Sequence, residues 1–306
     1  MAISRAQMMK ELLPGLNAIF GVEYAEYADE CAAIYGSPES SDRSFEEEVK
    51  LSGFGAAPVK AEGSGIAYDS AGESFTARYT HETVAMGFAI TEEAIEDNLY
   101  DALAARYSKA LARAMQHTKQ VKGVFPLNNA FATTNFTAGD GGALCASRTL
   151  SGGGTVTNVL AVAADLSETS LEQATIDIAA FIDERGLKVA AMPKRLIIHS
   201  NNQFVATRIL QSDLRSGTAD NDANALRTNG TIPEGYFVNH YLTTANNKNW
   251  FIITDVPDGM KHFERTALSK GMDGDFDSGN VRYKARERYS FGVSDYLGIF
   301  GSGSVA

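Results

Sequence analysis

Apolar positions at helical spacing, framed by start and stop signals, constrain this chain more than any other feature. Thr91 stands where an N-cap belongs, Glu92 and Glu93 fill the first turn, and Lys119 and Lys122 come near the end before Gly123. Anions at the start and cations at the finish both complement the helix dipole. Ile95, Leu99, Leu103, Leu111, Ala114 and Met115 supply the apolar stripe. The spacing predicts a helix of about 31 residues, ~46 Å long, against a usual length of ~11–12 residues. Its counterpart in length is a strand. Val281, Tyr283, Ala285, Tyr289, Phe291 and Val293 alternate with Arg282, Lys284, Arg286 and Arg288. That alternation predicts ~13 extended residues, roughly 43 Å. A helix beside an equally long strand is unusual geometry for a small enzyme.

The rest of the chain mixes both element types, so the expected class is α+β. Ser4 reads as a cap for a helix carrying Met8, Met9, Leu12 and Leu13, with Pro14-Gly15 as a break. Tyr24, Tyr27, Cys31 and Ile34 continue at helical spacing to Gly36, a linker spans 36–41, and an acidic run follows at Glu46, Glu47 and Glu48. Residues 49–90 read as one long hairpin with five glycines between Gly53 and Gly72. Its apolar phase is odd at Phe75, Ala77 and Tyr79, then even at Val84, Met86, Phe88 and Ile90. Such a flip implies a bulge or a change of packing partner. We therefore expect residues 49–88 to form an arm, its odd-phase half on a neighbouring subunit and its even-phase half on its own body. After loop-rich residues 124–165, Thr169-Ser170-Leu171-Glu172 reads as a capping box for a helix bearing Leu171, Ala174, Ile178 and Ile182 and ending at Gly186. Leu196–Ile198 is expected as a buried strand, Phe204–Leu210 as a helix, and Tyr236–Leu242 with Trp250–Ile253 as a hairpin.

Composition narrows the function classes. Hydrophobic residues at 44% and charged residues at 21% describe an ordinary globular protein, long enough for two subdomains. A net charge of −11 argues against a protein that wraps DNA by neutralising phosphates. Met1-Ala2-Ile3-Ser4-Arg5 lacks signal-peptide features, and no apolar run approaches the ~18 residues of a membrane span, so folding in a cytoplasm is expected and no membrane partner. Cys31 and Cys145 match no ligand or redox spacing and read as buried thiols. Asp273, Asp275 and Asp277 resemble the opening of a calcium loop, but Ser278 and Lys284 stand where a glycine and a bidentate Glu are required. The histidines His81, His117, His199, His240 and His262 show no metal-ligand spacing, and no nucleophile elbow or phosphate loop is present. No catalytic, cofactor or metal site is expected, and an enzyme with an unfamiliar constellation is the remote alternative. The stripe Arg282, Lys284, Arg286 and Arg288 reads either as a solvated sheet face or as a contact with acidic groups such as Glu46, Glu47 and Glu48 of a neighbour. A DNA-facing role comes third.

Gly87-Phe88-Ala89-Ile90-Thr91-Glu92-Glu93 leading into Asp97-Asn98-Leu99-Tyr100 resembles the entry to the spine helix of tailed-bacteriophage major capsid proteins, near their Mu-like branch. Asp220-Asn221-Asp222-Ala223-Asn224-Ala225-Leu226, Val238-Asn239-His240-Tyr241-Leu242-Thr243 and Trp250-Phe251 resemble that family's axial domain. Arg286-Glu287-Arg288-Tyr289-Ser290-Phe291-Gly292, followed by Asp295, resembles the closing strand of its peripheral domain. The resemblance implies a Hong Kong 97-like fold, with an N-arm at 1–44 and an extended loop at 45–88. The peripheral domain would comprise 89–165 with 264–306, and the axial domain 166–263. It also implies homo-pentamers and homo-hexamers closing into an icosahedral shell around double-stranded DNA. That shell would be assembled in a host bacterial cytoplasm and found in the virion, with the acidic wall suited to not gripping the genome. A separate scaffolding protein, a portal and a decoration protein are the implied partners, since no long charged N-terminal coiled coil is present to act as a built-in scaffold. The alternative within the same fold is an encapsulin-like nanocompartment. Under the resemblance, the intersubunit contacts are expected at Glu46–Glu48, Phe75, Tyr79 and the basic stripe.

Overall fold

The computed structural model describes residues 5–91, 93, 100–215, 222–243, 248–275 and 279–303, without the side chains of 5–14 and 100–104. Helix α1 (Arg5–Glu26) is followed by a single turn, α2 (Ala32–Tyr35), and by strands β1 (Glu39–Ser40), β2 (Phe45–Leu51), β3 (Glu73–Thr80) and β4 (Glu82–Ile90). The long helix α3 (Tyr100–Asn128) leads to a small hairpin, β5 (Ser147–Thr149) and β6 (Thr155–Thr157), and then to helix α4 (Glu168–Ala179). Next come β7 (Pro193–Ile198), α5 (Gln203–Gln211), the turn α6 (Ala225–Thr228), β8 (Tyr236–Val238) and β9 (Trp250–Thr254). The last strands are β10 (Met260–Gly274), β11 (Val281–Val293) and β12 (Ile299–Ser302).

Two four-stranded sheets organise these elements, in the orders β1-β10-β11-β4 and β12-β9-β7-β8. β11 spans the residues its alternation predicts. It is the inner strand between β10 and β4, so its two faces meet different surroundings. Val281, Tyr283 and Ala285 are buried, the latter two in a cluster with Phe20 of α1 and Met115 of α3, whereas Arg282, Lys284 and Arg286 are exposed. Burying a side chain such as Phe20 contributes roughly 1.5–3 kcal/mol. The second sheet packs on α4 through Leu196, Ile198, Trp250, Ile252, Leu171 and Ile178. β12, grouped with the peripheral segment 264–306 in the expected division, pairs with β9 in this second sheet.

Several sequence expectations need correction. α1 runs through Pro14-Gly15 without a break. An interior proline costs a helix ~3 kcal/mol, which tertiary packing can offset; here Leu16 and Phe20 are buried and Glu23 pairs with Lys109 and Arg113 of α3. α3 passes through Gly123 to Asn128, because that glycine serves close packing: a Cβ there would lie 2.2 Å from Cys31 Sγ. The expected start of α3, with Glu92, Ile95 and Leu99, lies outside the described residues, as do Ser4, Asp277 and the side chains of Met8, Met9, Leu12, Leu13 and Leu103. The capping box forms two residues earlier than expected, from Ser167 to Ser170, and the helix ends at Ala179. Tyr236–Val238 and Trp250–Thr254 do not form a hairpin; β7 lies between them, parallel to β8 and antiparallel to β9. A strand as apolar as Leu196–Ile198 is satisfied only by neighbours on both edges.

Residues 49–90 are not one hairpin either. β3 pairs with β2, β4 pairs with β11, and His81 stands at the change. The phase flip does mark a change of packing partner, but both partners belong to the chain itself. His81 is buried there, its ring nitrogens 2.8 Å from Ser41 Oγ and 3.0 Å from Ser290 Oγ.

Candidate intersubunit surfaces

Ala77 and Tyr79 on the odd face of β3 are buried in their own subunit, which corrects the expectation for Tyr79, and Phe75 is partly covered there. Tyr79 is 3% exposed, its ring edge-on to Phe263 with centroids 4.8 Å apart and its hydroxyl bonded to Ser294. Phe75 is half-buried and stacks on Tyr296 with centroids 6.0 Å apart. Glycines opposite the rings make this possible. A Cβ on Gly292 would lie 2.5 Å from the Tyr79 ring, and one on Gly139 would lie 2.8 Å from the Phe75 ring. β3 thus drops into notches that a sequence pattern does not reveal.

Glu46, Glu47 and Glu48 face different tasks. Ser41 donates a hydrogen bond to Glu46 at 2.7 Å, and exposed Glu47 lies 3.7 Å from Arg78. Glu48 accepts from Ser294 and pairs with Lys261 at 2.5 Å. Lys261 also reaches Asp258 at 2.9 Å and Glu39 at 3.5 Å. Burial opposes the Lys261 charge, but hydrogen bonds to Glu48 and Asp258 outweigh it and hold the ammonium above its ordinary range. Lys261 therefore ties β1, β2 and the 258–261 turn together, a role no motif announced. Beside it, Lys50 pairs with Asp295 at 2.8 Å and lies 4.2 Å over the Tyr296 ring.

Between β2 and β3, residues 52–72 project without regular structure. Large apolar side chains stand in solvent along this arm tip: Phe54 at 60% exposure, Val59 at 100%, Ile66 at 70% and Tyr68 at 95%. Asp69 organises the tip. Its carboxylate accepts from the backbone N–H of Gly55 and of Ser70, both at 2.8 Å, and from the Arg185 guanidinium at 2.9 and 3.0 Å. The two backbone donors, followed by Arg185, hold its carboxyl below the usual range.

The basic stripe divides too. Arg282 pairs with Asp275 at 2.5 Å, Arg288 is half-buried, and Lys284 and Arg286 point into solvent. Asp275 is thereby engaged by a guanidinium, and among the described residues no group of three or more His, Cys, Asp or Glu side chains is placed to hold a metal. Cys31 and Cys145 are buried free thiols, the latter pushed up to about 12 by burial. No helix among the described residues is long and apolar enough to cross a membrane.

These surfaces offer contact area, and comparison with known proteins identifies the family they belong to. The family model described as phage capsid protein matches residues 74–301. No curated protein matches the chain significantly by sequence. Among solved structures, a virus-like particle from Pyrococcus furiosus is similar with a TM-score of 0.54 at 9% identity, over 95% of this chain and 99% of that one. The capsid of Myoviridae phage XM1 gives 0.52 at 14% identity, over 91% and 93%. The capsid of an empty GTA particle gives 0.51 at 15% identity, over 92% and 91%. The chain belongs to the phage capsid protein family and is a major capsid protein with the Hong Kong 97-like fold.

Proposed function

We propose that this capsid protein closes as homo-pentamers and homo-hexamers into an icosahedral shell around the double-stranded DNA of a tailed phage. The observation that carries this reading is the arm tip. A chain that anchors β3 by Tyr79 and Ala77, both 3% exposed, yet holds Val59 and Tyr68 in water, presents those side chains to another copy of itself. Exposed apolar clusters of this kind signal an interaction surface. Closed symmetry repeats each modest contact many times, so no single interface need be strong. In this reading 1–44 is the N-arm, 45–88 the extended loop, 89–165 with 264–306 the peripheral domain and 166–263 the axial domain. A separate scaffolding protein, a portal and a decoration protein complete the assembly in the host cytoplasm, and the Mu-like affiliation belongs to the same proposal.

A second reading, less supported by the family match, is an encapsulin-like compartment built from the same fold. Neighbouring genes separate the two: terminase and portal genes accompany a phage capsid, and a cargo enzyme accompanies a compartment. The shell itself is tested by electron microscopy of protein co-expressed with its scaffold, comparing the full chain with a variant in which 57–67 is replaced by a short turn. Closed particles from the full chain, and soluble folded subunits without particles from the variant, are expected. A full chain that stays monomeric, or normal particles from the variant, would overturn the proposal.

A further inference from the structure

Glu287 is a buried acid that the shell reading does not use. It is 4% exposed on β11, on the face turned towards α3, with Val84 of β4 beside it in the sheet. Tyr283 and Ala285 before it belong to the apolar cluster shared with α1, and after it Val293 belongs to a second cluster with Tyr35 and Val124, against which Phe291 packs. Glu287 and Tyr289 thus form a polar row separating two apolar cores beneath one helix. Tyr24 of α1 donates its hydroxyl to Glu287 Oε2 at 3.1 Å, a contact across 263 residues of chain. Glu287 Oε1, the Tyr289 hydroxyl and Gln116 Oε1 of α3 are buried with no hydrogen-bond partner among the described residues. A buried carboxylate with half its acceptor capacity unmet costs far more than the neutral acid in the same place.

We propose that Glu287 is a proton-linked latch for the N-terminal helix: its neutral carboxyl favours α1 docked on the long strand, and its ionisation favours release. The groups acting on it are Tyr24 on α1, Asp29 after α1, Lys119 on α3 and Glu264 on β10, and Tyr289, its neighbour on β11, is flanked by His262 on β10 and Glu82 on β4. Lys119 supplies positive charge but lies 3.5 Å from Asp29, which shares it. Burial pushes Glu287 up from 4.5 to about 7, against the opposing effects of Lys119 and the Tyr24 hydroxyl and with reinforcement from Glu264 and Asp29. Asp29 is held below its ordinary value by Gln120 and Lys119 despite burial, His262 is pushed down to about 4 by burial, and burial raises both tyrosines. An acid with a raised docked-state value binds its proton more tightly there than in the released state. Docking is therefore strongest below the ordinary value, weakens as pH climbs through the window, and levels off above about 7. Phe20 and the pairing of Glu23 with Lys109 and Arg113 act throughout, so the latch tunes the opening of α1 and does not detach it outright.

The inference is independent of what the shell encloses and is tested on full-chain subunits by hydrogen exchange of α1 amides, corrected for intrinsic rates. From pH 5 to pH 8 the opening constant of α1 is expected to rise roughly 50-fold in the wild type. E287Q, permanently neutral, should stay near the acid value at both pH values. Y24F removes a donor to the carboxylate and should move the levelling-off to higher pH. A flat wild-type profile, or an undiminished slope in E287Q, overturns the latch. Should E287Q not fold, an unshifted profile in Y24F overturns it equally.

Discussion

At Gly292 an added Cβ would lie 2.5 Å from the ring of Tyr79, and that ring is held edge-on to Phe263 at 4.8 Å. The ring has little room to retreat, so the notch and the aromatic form one unit. Gly15 presents the opposite case: it lies inside α1, and nothing stands within 4 Å of an added Cβ. Overpacking a filled site costs about 1–3 kcal/mol, whereas Gly→Ala in an open helical position gains about 0.5–1 kcal/mol. G292A is therefore expected to destabilise the subunit and G15A to stabilise it, read as opposite shifts of the urea midpoint. G292A should also loosen β3, seen as faster exchange at Ala77 and Tyr79. A neutral G292A would mean that Tyr79 does not need the notch.

Among the elements, the arm depends on a contact that links two distant parts of the chain. Asp69 bonds the backbone of Gly55 and Ser70 without help, so the tip keeps its local turn when Arg185 is removed. What Arg185 adds is the tether to the loop after α4, through a pair 33% and 43% exposed. Exposed pairs contribute about 0–1 kcal/mol, so R185A should speed proteolysis within 52–72 by no more than ~5-fold, with the melting temperature unchanged. Unaltered cleavage would show the tether to be inert. The same elements show what was legible in the sequence. β11 can be read residue by residue because from Val281 to Glu287 its dry and wet faces alternate cleanly, and its apolar residues keep the same phase to Val293. β10, of equal importance, cannot, because register shifts between Glu264 and Thr266 and between Thr266 and Ser269 break its alternation. The phase flip at His81 was visible, but the partners on either side were not, since Gly139 and Gly292 become notches only when the chain folds. Hence the pattern identifies Phe75 and Tyr79 as packing residues but not the notches of their own subunit that receive them.

For the whole molecule, charge distribution separates a solvated face from a contact. The subunit carries −11, yet β11 turns Lys284 and Arg286 outward side by side, and neither has a carboxylate partner among the described residues. Arg282 is already paired with Asp275, and Arg288 is half-buried with its Nε enclosed, so neither reports cleanly on assembly. K284E/R286E is the informative change: both side chains are exposed, so the isolated subunit should keep its circular dichroism and melting temperature. If the stripe meets acidic groups of a neighbour, such as exposed Glu47, reversal turns attraction into repulsion at every copy of that interface. Two surface pairs at about 0.7 kcal/mol each amount to roughly tenfold in the concentration needed for shells. The effect should shrink as salt is raised, because the screening length falls from ~10 Å at 0.1 M to ~3 Å at 1 M. Light scattering across a concentration series at both ionic strengths measures this directly. Shells forming at the wild-type concentration in low salt would assign the stripe to solvent and leave the arm as the principal contact.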